Sequence, residues 1–180
     1  MNTEHEAWLN GALEAVLPQL MPAAHALVQA GADIRKAAGG LTVKQVWTKP
    51  HGAPSVGFHL SHVAGSIDRL LTYARGASLD SAQFAALVAE GEPDESVAAA
   101  ELVAAATKRI EEVLEAIRLT PEETLFAARF VGRAKLPTSV FGLLFHIAEH
   151  TQRHTGQIVT TARIVRNSDK TFLEKGGGNI

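Results

Sequence analysis

Three histidines recur at every fourth position near the carboxyl end of the chain: His146, His150 and His154. Four residues turn an α-helix by about 400°, so the three side chains drift by only about 80° around the helix axis. Two histidines four residues apart can bind one divalent ion. The outer two are separated by about 12 Å of helical rise and cannot both reach one ion from a straight helix. We therefore expect one neighbouring pair to bind a metal, while the remaining histidine supports a ligand, contacts substrate or lies on the surface.

A second pair, His59 and His62, lies earlier in the chain and is spaced i, i+3, so its members share one face of a predicted helix. Two histidines from one helix and a third from a facing helix can build a metal site inside a helical bundle. Three protein ligands leave coordination positions open for water or substrate, which is typical of catalytic sites. Imidazole ligands suit zinc, nickel, copper or iron and do not distinguish among them.

The composition removes several other classes of protein. The 180 residues include no cysteine and eight histidines, and 17 basic residues stand against 19 acidic ones. Without cysteine there is no disulfide framework, thiolate zinc site, iron–sulfur cluster or cysteine nucleophile. The near-neutral charge lacks the basic footprint of a nucleic-acid-binding protein. The acidic, polar N-terminus and the lack of a long apolar run predict a cytoplasmic protein that does not bind membranes.

The apolar residues follow a helical period through most of the chain. Thr3 and Glu6 form a capping-box pattern that predicts a short helix before Pro18. Four long helices are expected, over residues 19–38, 56–74, 93–118 and 139–166. Ser55 is the expected N-cap of the second, and Pro93 the expected start of the third. These helices predict an all-α fold, a four-helix bundle.

The segments between the long helices are less regular. We expect a loop, a short helix and a connector, over residues 41–55, 81–90 and 120–137 respectively. The connector is expected to hold a short helical turn followed by extended chain or a small hairpin. The length favours a single domain over residues 1–180, with residues 1–17 as an N-terminal extension and 167–180 as a flexible tail.

Other residues near the histidines have two interpretations each. Glu149 could orient a ligand histidine through its second ring nitrogen, and Arg153 could bind an anionic group, but both also suit an exposed helix face. Gly156 is expected to allow close helix packing. Gln157, Asp68 and Arg69 could bond across the bundle, and Trp47 and Phe58 could line a pocket. The remaining histidines are expected to be surface or packing residues: His5, His25 and His51.

Two segments carry a resemblance to a known family. HLSHVAGSIDRLL (59–71) and HIAEHTQRHTGQI (146–158) resemble the two signatures of the DinB/YfiT-like superfamily of all-α metalloenzymes. The resemblance extends from about residue 17 to residue 166. It implies an up-down-down-up four-helix bundle that is commonly a homodimer, with a divalent metal, zinc or nickel, on three histidines.

Carried over to this sequence, the resemblance implies that His62, which precedes Val63-Ala64-Gly65, and the pair His150 and His154 are the metal ligands. His146 and His59 are secondary candidates, and the pair His146 with His150 stays an alternative. Many relatives have His-Arg-Gly-Gln where this chain has His-Thr-Gly-Gln, with its arginine one residue before the histidine.

The resemblance also implies an activity class. Its characterised members include metal-dependent transferases that use thiols such as bacillithiol or mycothiol, an isomerase, and related hydrolases. We therefore expect a metal-dependent enzyme that activates a low-molecular-weight thiol or water for a small-molecule substrate, with Arg153 and Glu149 as supporting residues and no catalytic residue assigned. Because the chain has no cysteine, the thiol would be a cosubstrate. The alternative is a non-catalytic metal-binding or stress-response interaction module.

Overall fold

The structure, a computed structural model, describes the backbone of residues 5–176 and the side chains of residues 5–168. It is mostly helical, as an all-α fold requires. The α-helices are α1 (Met21–Ala38), α2 (Val43–Trp47), α3 (Val56–Ala74), α4 (Ser81–Ala89), α5 (Ala99–Arg118) and α6 (Val140–Gly176). Two strands, β1 (Ala128–Val131) and β2 (Leu136–Ser139), form an antiparallel hairpin. Short 3₁₀ turns lie at Ala7–Asn10, Pro18–Leu20, Pro50–Gly52 and Glu122–Thr124.

The four long helices α1, α3, α5 and α6 enclose one apolar core. Helix α1 packs against α5 and α6, and α3 packs against the same two helices. Burying one large apolar side chain contributes about 1.5–3 kcal/mol before the cost of ordering the chain. Large side chains with no more than 1% exposure come from all four helices: Leu27, Ile34, Leu60, Ile67, Ile117, Leu144, Ile147 and Ile158.

Contacts between helices give their relative directions. Gln152 donates to the carbonyl of Ala26 and Arg166 to that of Gly39, so α1 and α6 run parallel. Arg109 pairs with Asp68 between α5 and α3 at 3.1 Å. None of the helices among residues 5–176 is long and apolar enough to cross a lipid bilayer.

Helix α3 begins and ends at its predicted residues. The Ser55 hydroxyl accepts a hydrogen bond from the Phe58 backbone N–H at 3.1 Å, which satisfies an otherwise unpaired donor of the first turn. At the other end, Gly76 has φ +78°, a left-handed conformation that stops the helix at little cost. Asp80 and Gln83 form a capping box that starts α4, close to the predicted short helix.

Two helices differ from the prediction near the N-terminus. The predicted helix before Pro18 is wrong for the described residues, which form only the 3₁₀ turn Ala7–Asn10, because Gly11 and Ala15 take positive φ. The capping residue Thr3 lies outside the described residues. The predicted loop 41–55 contains α2, which starts at a capping box of Thr42 and Gln45.

The later helices differ at their ends. Helix α5 starts at Ala99 and not at Pro93, because the Asp94 carboxylate accepts from the backbone and hydroxyl of Ser96 and so stabilises a turn in place of the helix. Helix α6 continues ten residues past the predicted end at Arg166, since no proline or glycine interrupts it before Gly176. The connector forms the small hairpin, which Arg129 anchors by donating to the carbonyl of Ala74 at 2.7 Å.

Candidate metal centre

Three histidines converge where α3 faces α6. His62, His150 and His154 each offer a ring nitrogen, and these atoms lie within 4.8 Å of one another. The Nε2 atoms of His62 and His150 are 3.0 Å apart, and the ring centroids of His150 and His154 are 4.6 Å apart. All three side chains are half-buried. This histidine cluster is therefore able to hold a metal ion.

The antiparallel course of the two helices brings the cluster together. His59 faces His154 while His62 faces His150, so the numbering rises on one helix as it falls on the other. Residues three apart on α3 thus meet residues four apart on α6, each pair being one helical turn. The cluster includes His150 and His154 but not His146. The two outer histidines of α6, about 12 Å apart along the helix, therefore do not have to reach one ion.

His59 lies behind the cluster and is 5% exposed. Its Nδ1 lies 2.9 Å from Nδ1 of His154, a hydrogen bond in which one ring donates and the other accepts. This bond fixes the His154 ring and leaves its Nε2 without a hydrogen bond among the described residues. His59, one of the secondary candidates, therefore contacts a member of the cluster.

Glu90 holds the ring of His62 from the other side. The Nδ1–H of His62 donates to Glu90 Oε2 at 2.8 Å, and Nη1 of Arg69 donates to Glu90 Oε1. Glu90 and Arg69 are each 8% exposed, so this is a buried ion pair. A carboxylate on the second nitrogen of a histidine sets its tautomer and ring orientation, and leaves Nε2 to face the cluster.

Glu90 is not among the site residues predicted from the sequence. It is the C-cap of α4, where the helix dipole disfavours a negative charge. An acidic residue at this unfavourable position is the one local signal in the sequence, and it does not reveal the partners His62 and Arg69. Gly65 of α3 makes room for it, because a Cβ there would collide with Glu90 Oε1 and lie 2.7 Å from Arg69 Nη1.

Burial keeps the rings of His150 and His154 neutral. The pKa of His154 is lowered to about 4, mainly by burial. The nearby rings of His62, His150 and His59 and the charge of Arg153 also contribute to this lowered pKa. Burial is also the main cause that lowers the pKa of His150 and that of His59, with His62 adding to both. Neutral imidazole is the form that binds a metal, so His150 and His154 are available as donors at pH 7.

Burial acts in the opposite sense on Glu90. It favours the protonated carboxyl, but hydrogen bonds from His62 and Arg69, and the charges of both, outweigh it and lower the pKa of Glu90. The carboxylate is therefore ionised at neutral pH and accepts from both neighbours.

The remaining predicted residues lie at the outer edge of the cluster. Glu149 pairs with Arg153 at 2.6 Å and lies 3.4 Å from Nδ1 of His146. Arg153 is exposed, and its Nη2 is 3.5 Å from Nδ1 of His150, too long for a strong hydrogen bond. The bond from Arg153 is the main cause that lowers the pKa of Glu149. Glu149 thus contacts His146 and not a member of the cluster.

Other expectations have mixed outcomes. Phe58 stacks on His62 with ring centroids 5.6 Å apart, and Asp68 and Arg69 bond across helices as expected.

The close packing expected at Gly156 is wrong, because a Cβ there would meet nothing within 4 Å. Gln157 is exposed. The three remaining histidines lie outside the cluster: His5, His25 and His51.

The spacing of one donor pair fits a first-row transition metal. Metal–nitrogen bonds of about 2.0–2.1 Å place two ligand nitrogens roughly 2.9–3.4 Å apart for bond angles between about 90° and 109°. The 3.0 Å between Nε2 of His62 and Nε2 of His150 lies within that range. Three neutral nitrogen donors suit zinc, nickel, copper or iron better than magnesium or calcium, which prefer oxygen.

An apolar groove runs alongside the cluster. It has a volume of about 340 Å³ and is bounded by α3, α4 and α6. His62 and His150 are among its lining residues, so a molecule in the groove could reach both the histidine cluster and solvent.

These features define the class of protein: a mostly helical chain whose facing helices hold three histidines able to bind a metal ion. The sequence model of the DinB superfamily matches residues 26–158, a span that includes the whole cluster. The chain therefore belongs to the DinB superfamily, as the resemblance of its two histidine segments implies. No curated protein shows a significant match to it.

Proposed function

We propose that this protein is a metal-dependent enzyme in which His62, His150 and His154 hold a divalent metal, zinc or nickel. The observation that carries the proposal is the convergence of three histidine ring nitrogens, two of whose rings are fixed from behind by buried side chains. Three protein ligands leave positions for substrate and water.

The residues around the cluster have separate roles in this proposal. Glu90 orients His62, and His59 orients His154. Arg153, at the exposed side of His150, is the candidate for binding an anionic group of a substrate, and Glu149 holds its guanidinium in place. His146 is not a ligand in this assignment, because its ring pairs with Glu149 and it is not among the three histidines whose nitrogens converge.

The reaction class follows from the donors and from the composition. A divalent metal on these histidines would supply Lewis acidity, which lowers the pKa of a thiol or of water so that a nucleophile forms at neutral pH. Because the chain has no cysteine, the thiol would enter as a low-molecular-weight cosubstrate. We therefore propose a thiol S-transferase or a hydrolase acting on a small molecule.

The remaining proposals concern the whole molecule. The up-down-down-up four-helix bundle is supported by α1 and α6 running parallel and by α3 running antiparallel to α6. The pairing of Asp68 with Arg109 is compatible with α3 and α5 forming the central down-down pair. A cytoplasmic homodimer rests on the sequence and the family resemblance.

Metal content and its dependence on single histidines test the ligand assignment. Purified protein loaded with zinc or nickel should hold about one ion per chain by elemental analysis, as expected for one three-histidine site. His150→Ala should abolish binding, whereas His146→Ala should retain it. Full metal content in His150→Ala would contradict the assignment. Loss in His146→Ala with retention in His154→Ala would also contradict it and would favour His146 with His150.

Turnover is tested separately on the loaded protein. A model electrophile with glutathione, bacillithiol or mycothiol tests for thiol transfer. A model ester without thiol tests for hydrolysis. We expect rates that require metal and disappear in His150→Ala. Stoichiometric metal without any reaction would favour the non-catalytic metal-binding module.

A further inference from the structure

Helix α4 has an unusual relation to the rest of the molecule. Its sequence SAQFAALVA is almost entirely apolar, yet none of its nine residues is buried. Phe84 is 44% exposed, Leu87 43% and Val88 81%. A helix normally gains its stability by burying an apolar face, and α4 does not.

Polar contacts at both ends hold α4 in place instead. At its start, Gln83 donates to the Asp68 carboxylate at 2.7 Å and to the Thr72 hydroxyl at 2.8 Å. At its end, Glu90 forms the buried contacts with His62 and Arg69. The helix is therefore fixed across α3 while its apolar side chains stay uncovered.

The uncovered side chains line the groove beside the histidine cluster. Phe84 and Leu87 are spaced i, i+3 and share one face of α4, opposite Leu70 and Tyr73 of α3. The charged lining residue Arg69 is already paired with Glu90. The groove thus offers apolar walls that lead to His62 and His150.

We propose that this groove binds the apolar part of the substrate, so that the reacting group lies at the histidine cluster and an uncharged alkyl or aryl group lies between α4 and α3. The inference rests on the proposed function for the reaction at the histidine cluster. The groove itself depends on the position of α4 and not on a bound metal. Leu87 and Phe84 are the specificity-determining residues. The volume of about 340 Å³ is at the lower end for small-molecule sites and suits one short chain or one ring.

The charge balance of the groove defines the ligand class further. An anionic group would gain little between Phe84 and Leu87, because the only arginine in the lining already has a carboxylate partner. Each methylene group removed from water in such a groove strengthens binding by about fourfold. Affinity should therefore depend on the length of the apolar group more than on its charge.

A homologous series of n-alkyl hydroxamates on the zinc-loaded protein tests the proposal. The hydroxamate binds metal, and the alkyl group is lengthened from methyl to heptyl, with the affinity measured by calorimetry. The dissociation constant should fall by about fourfold per methylene until the groove is full. Leu87→Asn should flatten this dependence and leave the affinity for acetohydroxamate unchanged.

Val88→Asn is the matched control, because Val88 lies on the same helix, is more exposed and does not line the groove. It should keep the full chain-length dependence. Phe84→Ala supplies a second groove variant, should Leu87→Asn not fold. A flat series in the wild type, or equal effects of Leu87→Asn and Val88→Asn, would overturn the proposal.

Binding of n-alkanols to the metal-free protein separates this inference from the proposed function. Pentanol to octanol should shift the backbone amide signals of α4 in NMR spectra, and Leu87→Asn should abolish the shifts. If the protein holds no metal, the proposed function fails. The alkanol experiment alone then shows whether the groove binds apolar groups. If sedimentation shows instead that Leu87→Asn separates a dimer and alkanols have no effect, α4 is a subunit interface and the groove proposal is wrong.

Discussion

The orientation of His62 depends on one carboxylate. Glu90 accepts from Nδ1 of His62 and thereby selects the tautomer whose Nε2 lone pair faces His150. Its charge is balanced by Arg69, which is equally buried. Removing the charge of Glu90 therefore alters two hydrogen-bonded neighbours at once, of which Arg69 is buried.

We predict that Glu90→Gln weakens zinc binding about tenfold, the lower limit typical of changes to groups that hold metal ligands. The amide can still accept a hydrogen bond, but it no longer balances Arg69 or favours one tautomer of His62. Competition with a chromophoric chelator measures the affinity. Glu92→Gln, an exposed change two residues later, is the control and should bind zinc as the wild type does. Equal affinities for the two variants would contradict the role of Glu90.

The lowered pKa of His154 predicts a pH dependence of stability in the metal-free protein. Its pKa is about 4 in the folded chain, mainly because of burial, against about 6.5 in an unfolded one. The unfolded chain thus binds more protons between these values, and the free energy of unfolding should fall as the pH drops from about 6.5 to about 4. Below about pH 4 this contribution no longer changes with pH.

Denaturant titrations of metal-free protein between pH 4 and 7.5 measure this slope. His154→Gln should reduce it, whereas His5→Gln, at an exposed position outside the cluster, should leave it unchanged. Because His150 and His59 also have lowered pKa values, some slope should remain in His154→Gln. A wild-type stability that stays constant from pH 6.5 to 4.5 would contradict the lowered pKa values.

At the scale of elements, the position of α4 depends on a close approach to α3. Gly65 of α3 is the point of contact, because a side chain there would collide with the carboxylate of Glu90. Gly65→Ala should therefore displace Glu90, weaken zinc binding and destabilise the fold by about 1–3 kcal/mol, as overpacking typically does.

Gly156→Ala is the matched control for Gly65→Ala. It lies within α6, two residues after His154, and its Cβ would meet nothing within 4 Å. It should leave zinc binding unchanged and stabilise the helix by up to about 1 kcal/mol, because alanine has the higher helix propensity. Thermal unfolding and chelator competition on both variants are the measurements. A Gly65→Ala protein that is as stable as Gly156→Ala would show that α4 moves away without cost.

Most elements and the candidate histidines could be predicted because their signals are local, whereas the choice of His62, His150 and His154 among them came from the family resemblance. The cap at Ser55, the spacing of His59 with His62 and that of His150 with His154 are properties of a few neighbouring residues. Glu90 could not be assigned, because its partners His62 and Arg69 are more than twenty residues away and only the tertiary fold brings them together. The late start of α5 depends on competition at Asp94 between a helical turn and a turn closed by the Asp94 side chain. The spacing of apolar residues does not reveal this competition.

At the scale of the whole molecule, the histidine cluster links three elements that are distant in the chain. His62 lies on α3, His150 and His154 lie on α6, and Glu90 joins them to the end of α4. A metal bound to the three histidines would stabilise the folded state over the unfolded chain, in which these ligands are dispersed.

Thermal unfolding with and without metal therefore tests the cluster as a structural link. At a free zinc concentration one hundred times the dissociation constant, binding should stabilise the fold by about 2.7 kcal/mol. For a domain of this size that raises the unfolding midpoint by roughly 5–10 °C. Chelator should reverse the shift, and His150→Ala should show none, whereas His146→Ala should keep it because His146 lies outside the cluster. The same midpoint with and without zinc in a protein shown to hold the ion would mean that the unfolded chain binds zinc equally well, and that the cluster does not connect α3 to α6.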